Sequence, residues 1–165
     1  MNPLSSYWLR VFLLACAVSL PSAALHAESR KVMVVFADAI PELPVATTVA
    51  IDRAVGTGAV AEPEMFIVMH YQGWVYDAAA PDHKGLKFDS SIDRGPPFSV
   101  LHGVGRMITG LDKGIEGMRV GGKRTLVIPS KMGYGDRWAF GEVPPDSTLI
   151  FEVELLDVVP QQNVR

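Results

Sequence analysis

Five aromatic residues, Tyr71, Phe88, Phe98, Tyr134 and Phe151, stand where expected strands meet loops. Asp89 directly follows Phe88 in an apolar setting. Rings at strand ends can be the rim of an ordinary core. They can also wall a hollow that excludes water. A carboxylate beside them needs a partner, and Arg94, five residues on across an expected turn, is the candidate. A purely structural ion pair is the plainer alternative. Such a set suits binding and exclusion of water, with no proton or group transfer required.

Reactive chemistry finds little support elsewhere. No serine sits in a nucleophile-elbow pattern. The four histidines are scattered and no two stand at metal-ligand spacing. His70, inside an expected strand, reads as a satisfied structural histidine. Gly117-Met118-Arg119-Val120-Gly121-Gly122-Lys123 has phosphate-loop spacing, but Arg124 comes next where serine or threonine is needed. A strand also comes next where the phosphate loop needs a helix. It is read as a basic turn. The single cysteine, Cys16, lies in a leader, so the mature chain has no disulfide, thiolate nucleophile or sulfur-ligated metal. No metal or cofactor is expected. The net charge is −3, and nothing resembles a basic footprint for nucleic acid.

The elements that must position these residues begin after the leader. Residues 1–27 read as a signal peptide: Arg10, an apolar run from Val11 to Leu20, Pro21, then small residues to Ala27. The run is too short to span a bilayer. Cleavage fits best after Ala27, with Ala24 as the alternative. An uncleaved anchor, or lipidation at Cys16 behind Leu13-Leu14-Ala15, are the competing readings. Residues 28–47 form an extended arm, in which Val32 to Phe36 could be a strand and Pro41 and Pro44 fragment the remainder. The 160–165 stretch is a tail.

Between them, residues 48–159 form one domain. Strands are expected over Val49–Val55, from Met65 to a terminus near Tyr71, from Lys87 to Ser91, over Phe98–Leu101, and over Arg124–Ile128. Tyr76–Leu86 reads as a loop and Arg94–Pro97 as a turn. The only helix expected is Met107–Gly117, with Ile108, Leu111 and Ile115 on one face. Gly110 and Gly114 weaken it by about 1 kcal/mol each relative to alanine, so it needs tertiary packing. In the last strand Leu149, Phe151, Val153 and Leu155 face one side, and Glu152 and Glu154 the other. It is fed by a long loop carrying Tyr134, Trp138 and Phe140, expected to overhang a pocket. The fold class is α+β: about five antiparallel strands wrapped around one short helix.

The chain resembles the FKBP-type peptidyl-prolyl isomerases, the macrolide-binding family, from about Thr48 to Val159. The carrying motifs are Val68-Met69-His70-Tyr71-Gln72-Gly73-Trp74, Lys87-Phe88-Asp89-Ser90-Ser91, Met118-Arg119-Val120-Gly121-Gly122-Lys123-Arg124, Gly133-Tyr134-Gly135, and Val143-Pro144-Pro145 leading to Glu152-Val153-Glu154-Leu155-Leu156. The resemblance implies a half-barrel sheet around one helix and rotation of X-Pro bonds in proline-containing polypeptides, with macrolides as inhibitors. It also implies a pocket walled by Tyr71, Phe88, Asp89, Phe98, Met107, Ile108, Leu111, Tyr134 and Phe151. In that pocket Tyr71, Phe88, Asp89, Tyr134 and Phe151 are the catalytic set. Phe98, Arg106, Met107, Ile108 and Leu111 bind substrate, partly through the backbone at Arg106 and Ile108. Phe88 and Asp89 would face the rotating carbonyl. Two features depart from the family pattern: Leu111 stands where many members have tryptophan, and Trp138, Ala139, Phe140 and Glu142 replace smaller or aliphatic residues. Both bear on substrate preference and macrolide affinity. With the leader, the expectation is an exported, periplasmic, monomeric isomerase with no stable membrane insertion. A non-catalytic proline-peptide binder or chaperone module is the alternative, and docking into an envelope assembly through the arm is a third.

Overall fold

Alternation dominates the central strand. In Met65–Tyr76, Ile67, Met69, Tyr71 and Gly73 turn inward and their neighbours are half exposed. The computed structural model describes residues 33–35 and 39–161. The signal-peptide reading and much of the arm lie outside them. The strands are β1 (Met33–Val35), β2 (Val49–Ala54), β3 (Met65–Tyr76), β4 (Lys84–Ser90), β5 (Phe98–Leu101), β6 (Lys123–Ile128) and β7 (Leu149–Pro160). Two short helices are α1 (Ser91–Arg94) and α2 (Thr109–Ile115). The sheet order is β1-β2-β6-β7-β3-β4, with β5 also paired to β3. Every pairing is antiparallel except β1 with β2. The class is the expected one, an antiparallel sheet around one pocket-bearing helix.

Local details depart from the sequence reading. β3 runs on to Tyr76, so Tyr71 lies mid-strand and not near its end. The reason is β7, which pairs with β3 from Met65 to Val75 and holds it extended. The expected Tyr76–Leu86 loop contains a single 3-10 turn at Pro81–His83, and β4 already begins at Lys84. Residues expected as extended chain and turn form α1 instead. Ser90 caps it, its Oγ accepting the Asp93 N–H at 3.1 Å, and Gly95 ends it at φ 97°. A β-bulge between Val68 and Met69 sets Leu156 outside the inward row of β7.

α2 lies on β6 at close range because its glycines allow it. A Cβ on Gly110 would stand 2.3 Å from Ile128 Cγ2, and one on Gly114 would stand 2.6 Å from Leu126 Cδ1. The helix also lacks a C-terminal cap of its own. Arg124, 6% exposed, donates Nη1 to the carbonyls of Gly114 (2.7 Å) and Glu116 (3.3 Å) and pairs with Asp52. A cation here satisfies carbonyls the short helix leaves open and suits its negative end.

Two apolar clusters result. The larger joins α2 to the inner face through Leu111, Ile115, Leu126, Ile128, Leu149, Phe151 and Leu155. The smaller comprises Ile40, Val49, Ile51, Val127 and Ile150 on the other face, with Val45 and Trp74 packed against it. Part of the arm thus covers the outer face. Each such side chain, fully buried, stabilises the fold by about 1.5–3 kcal/mol.

Candidate functional site

β4 and β5 share one edge of β3 and are interrupted by α1. Gln72 pairs with Ser90 of β4, while Met69 pairs with Phe98 of β5. Tyr71 lies at the break and lacks a strand partner on that side. Ser91 supplies one: its Oγ accepts the Tyr71 N–H at 2.8 Å and faces the Tyr71 carbonyl at 3.3 Å. Ser91 Oγ also meets His70 Nδ1 at 3.0 Å. His70 is therefore engaged structurally.

The break opens into a cavity of about 340 Å³ lined by Tyr71, Asp89, Phe98, Gly105, Arg106, Met107, Ile108, Leu111, Tyr134, Phe140 and Phe151. β3 brings Tyr71, β4 brings Asp89, β5 brings Phe98 and β7 brings Phe151. α2 brings Leu111 to the inner end, 5% exposed. The Tyr71 ring meets Phe98 edge-on at 5.5 Å and tilts against Phe151 at 6.0 Å. Gly73 pairs with both Phe151 and Asp89, and a Cβ there would lie 2.9 Å from the Phe88 ring. Only the bare backbone leaves room for these rings.

Asp89 is fully engaged. Its Oδ2 accepts the Tyr71 hydroxyl at 2.6 Å, and Arg94 Nη1 donates to its Oδ1. Arg94 Nη2 donates in turn to the Tyr71 hydroxyl oxygen at 2.8 Å. The carboxylate is thereby paired within the wall by Arg94 and Tyr71. Burial first, then the hydrogen bond to Asp89, pushes the Tyr71 phenol up. Burial, reinforced by the negative charge of Asp89, pushes the Tyr134 phenol up to about 12. Tyr134 therefore stays a neutral O–H donor near neutral pH. The Ile108 N–H, just ahead of α2, meets no acceptor among the described residues.

Of the residues named from sequence, Tyr71, Asp89, Phe98, Arg106, Met107, Ile108, Leu111, Tyr134 and Phe151 all face this one cavity. Phe88 does not. Phe140 stacks over it at 5.8 Å and 28°, while its edges meet Phe151 and Tyr134. The Phe88 ring backs the wall behind Phe140, Tyr134 and Phe151. Phe140, carried by the loop expected to overhang the pocket, lines the cavity, and Gly105, not named from sequence, lines it too. A two-way bridge between Ala139 and Val143 (3.1 and 2.9 Å) folds the loop so that Phe140, at φ 52°, turns inward. That left-handed backbone costs about 1–2 kcal/mol in a non-glycine residue, and the contacts with Phe88 and Tyr134 offset it. The adjoining Gly141 was the sequence signal for such a turn. Trp138, expected to overhang the pocket, is 65% exposed and does not line it. Among the described residues no group of His, Cys, Asp or Glu gathers to hold a metal.

A ring-lined hollow in a half-wrapped antiparallel sheet defines a class. The family model for FKBP-type peptidyl-prolyl cis-trans isomerases matches residues 58–156, and the chain belongs to that family. It is similar to an FK506-binding protein of Neisseria meningitidis serogroup A, 50% identical over 107 residues, 65% of this chain and 92% of the relative. It is also similar to FK506-binding protein 2B of Rhizopus delemar, 51% identical over 92 residues, 56% of this chain and 41% of the relative. Among solved structures, FkpA from Escherichia coli superposes with TM-score 0.59 at 36% identity, over 68% of this chain and 48% of that one. AtFKBP13 superposes with TM-score 0.59 at 38% identity, over 67% and 91%. Peptidyl-prolyl cis-trans isomerase activity follows from this membership.

Proposed function

We propose that the chain accelerates X-Pro rotation by desolvating the peptide bond in this cavity, and that it serves exported proteins. Amide rotation faces a barrier of about 18–20 kcal/mol set by resonance. The twisted amide has lost that resonance and is less polar than the planar form. Water favours the planar form, so a hollow that excludes water removes part of the barrier. Moving from tens of seconds to milliseconds needs about 5–6 kcal/mol. The observation carrying this reading is the cavity itself: apolar rings with a single carboxylate already paired with Arg94 and Tyr71.

In this reading Tyr71, Phe98, Leu111 and Phe151 grip the proline ring. Asp89 faces the rotating carbonyl. The Tyr134 hydroxyl and the Ile108 N–H donate to substrate carbonyls, with the backbone at Arg106 and side chain of Met107 beside them. Phe88 acts by holding Phe140 and Tyr134 in place. Macrolides, as apolar ring-bearing ligands, would compete for the same hollow. Asp89→Leu should cut turnover in a protease-coupled proline-peptide assay by about tenfold or more, with the fold intact by circular dichroism. Full activity in that variant would end the assignment.

Export rests on the 1–27 leader. Periplasmic location is the reading it supports, and cell fractionation with N-terminal sequencing of the mature protein tests it. No helix among the described residues is long and apolar enough to cross a membrane. A second reading, a chaperone-like binder, is favoured by the exposure of Trp138 (65%) and Phe140 (61%) beside the cavity. Acceleration of a slow refolding phase at sub-stoichiometric protein separates the two, since a binder would suppress aggregation without accelerating it.

A further inference from the structure

One side of the cavity is lined from residues 103–108, an irregular stretch with few backbone bonds of its own. Residues 103–107 make no backbone–backbone hydrogen bond among the described residues. Gly103 and Gly105 sit at φ 81° and 73°, and Val104 is 45% exposed. Yet this stretch brings Gly105, Arg106, Met107 and Ile108 to the cavity.

Just before it stands His102, 1% exposed. Its backbone is anchored to the sheet side, with its N–H donating to the Met65 carbonyl and its carbonyl accepting the Glu64 N–H, both at 2.9 Å. Its ring reaches two further carbonyls: Nδ1 meets Glu62 O at 3.0 Å and Nε2 meets Asp112 O at 2.7 Å. A neutral imidazole carries one N–H, so the ring bonds at least one of these two carbonyls and packs its other nitrogen against the second. The Asp112 carboxylate lies 3.9 Å from Nε2, and its Oδ1 accepts the Gly103 N–H at 2.9 Å. Asp112 belongs to α2, next to Leu111.

We propose that His102 is a positioning residue for the isomerase pocket: with Asp112 it latches the 103–108 wall between β5 and α2, so that the wall is set before substrate arrives. A leucine would fill the same core space and supply none of these bonds. The proposal rests on the cavity being the substrate site, and its test separates the two. In His102→Leu, KM for a proline peptide should rise about tenfold with kcat within about twofold, because a loosened wall loses ground-state and transition-state binding alike. Gly103 amide exchange should accelerate by about tenfold or more, a readout independent of catalysis. Asp112→Asn keeps an acceptor for Gly103 but removes the carboxylate charge that strengthens that bond; it should raise KM by about three- to fivefold. It also decides the matter should the leucine variant fail to fold. The double variant should be no worse than His102→Leu alone, because the two act as one unit. Unchanged KM and unchanged Gly103 exchange in the variants that fold would overturn the latch. Full activity in Asp89→Leu would instead overturn the site while leaving the exchange result standing.

Discussion

The two faces of this sheet are made by the same strands and do opposite things. On β7, Phe151, Val153 and Leu155 turn inward while Ile150, Glu152 and Glu154 turn outward. The outer face is closed mainly by aliphatic side chains: Val49, Ile51, Val127 and Ile150 lie beneath Ile40 and Val45 with Trp74 and Tyr76 packed beside them, and the clefts there are lined by charges. Those charges are largely paired, Lys84 with Glu152 at 2.6 Å and Lys123 with Glu154 at 3.2 Å. The inner face ends in rings. There Tyr71, Phe88, Phe98 and Phe151 meet edge-on or tilted around a hollow whose carboxylate is paired. The difference lies in what lines each side's openings, rings on one and charges on the other, although both faces share one alternating pattern.

The independence of the two faces is tested from the outer side first. Ile150→Ala, at a site with 0% exposure, should destabilise the fold by about 2–5 kcal/mol in urea melts. Its kcat/KM per folded molecule should stay within about twofold of the parent. A collapse of activity in the folded variant would mean that the faces are not independent.

From the inner side, Leu111→Trp heightens the contrast by filling the cavity's inner end. Macrolide affinity should tighten by about tenfold in titration calorimetry, as burying extra ring area stabilises the bound ligand. An unaltered dissociation constant would place Leu111 away from the ligand.

Tyr134→Phe isolates a titration on the inner face. The folded-state phenol titrates at about 12 against an ordinary value of 10.0, so above pH 10 the unfolded chain binds fewer protons than the folded one. Stability from the buried neutral phenol is therefore complete below pH 10 and lost as pH rises towards about 12. The phenylalanine variant should lack this share of the alkaline loss in melts between those limits. Equal alkaline slopes in both proteins would contradict the assignment.

The smallest effect belongs to the outer charges. Lys84 also stands 4.8 Å over the Trp74 ring, but Glu152 is 43% exposed. A double-mutant cycle with Lys84→Met and Glu152→Gln should yield less than about 1 kcal/mol, shrinking with salt.

The strands of the inner face were legible because burial writes itself as alternation. Phe98–Leu101 and the inward row of β7 follow directly from it. α2 was legible from the spacing of Leu111 and Ile115, although packing trimmed it to Thr109–Ile115. α1 was not, because its four residues carry no periodicity and depend on the Ser90 cap and Gly95. The extension of β3 beyond Tyr71 was hidden for another reason: its partner, β7, lies some eighty residues away. At the site, the motifs named the rings and Asp89, and the expected turn after Ser91 named Arg94 as its partner. Nothing local showed that Phe140 would cover Phe88, or that His102 would reach Asp112.

The order of residues alone was enough to set which side chains point inward, where the chain must turn, and that Asp89 sits among rings with Arg94 five residues on. Each is a local property, set by backbone geometry and by the aversion of apolar groups to water. Long-range packing had to decide that the rings would meet around one hollow, which ring would face it, and what holds the 103–108 stretch beside it. Those outcomes depend on contacts between residues far apart in the chain, where packing and hydrogen-bond satisfaction select one arrangement from many that the same local pattern allows.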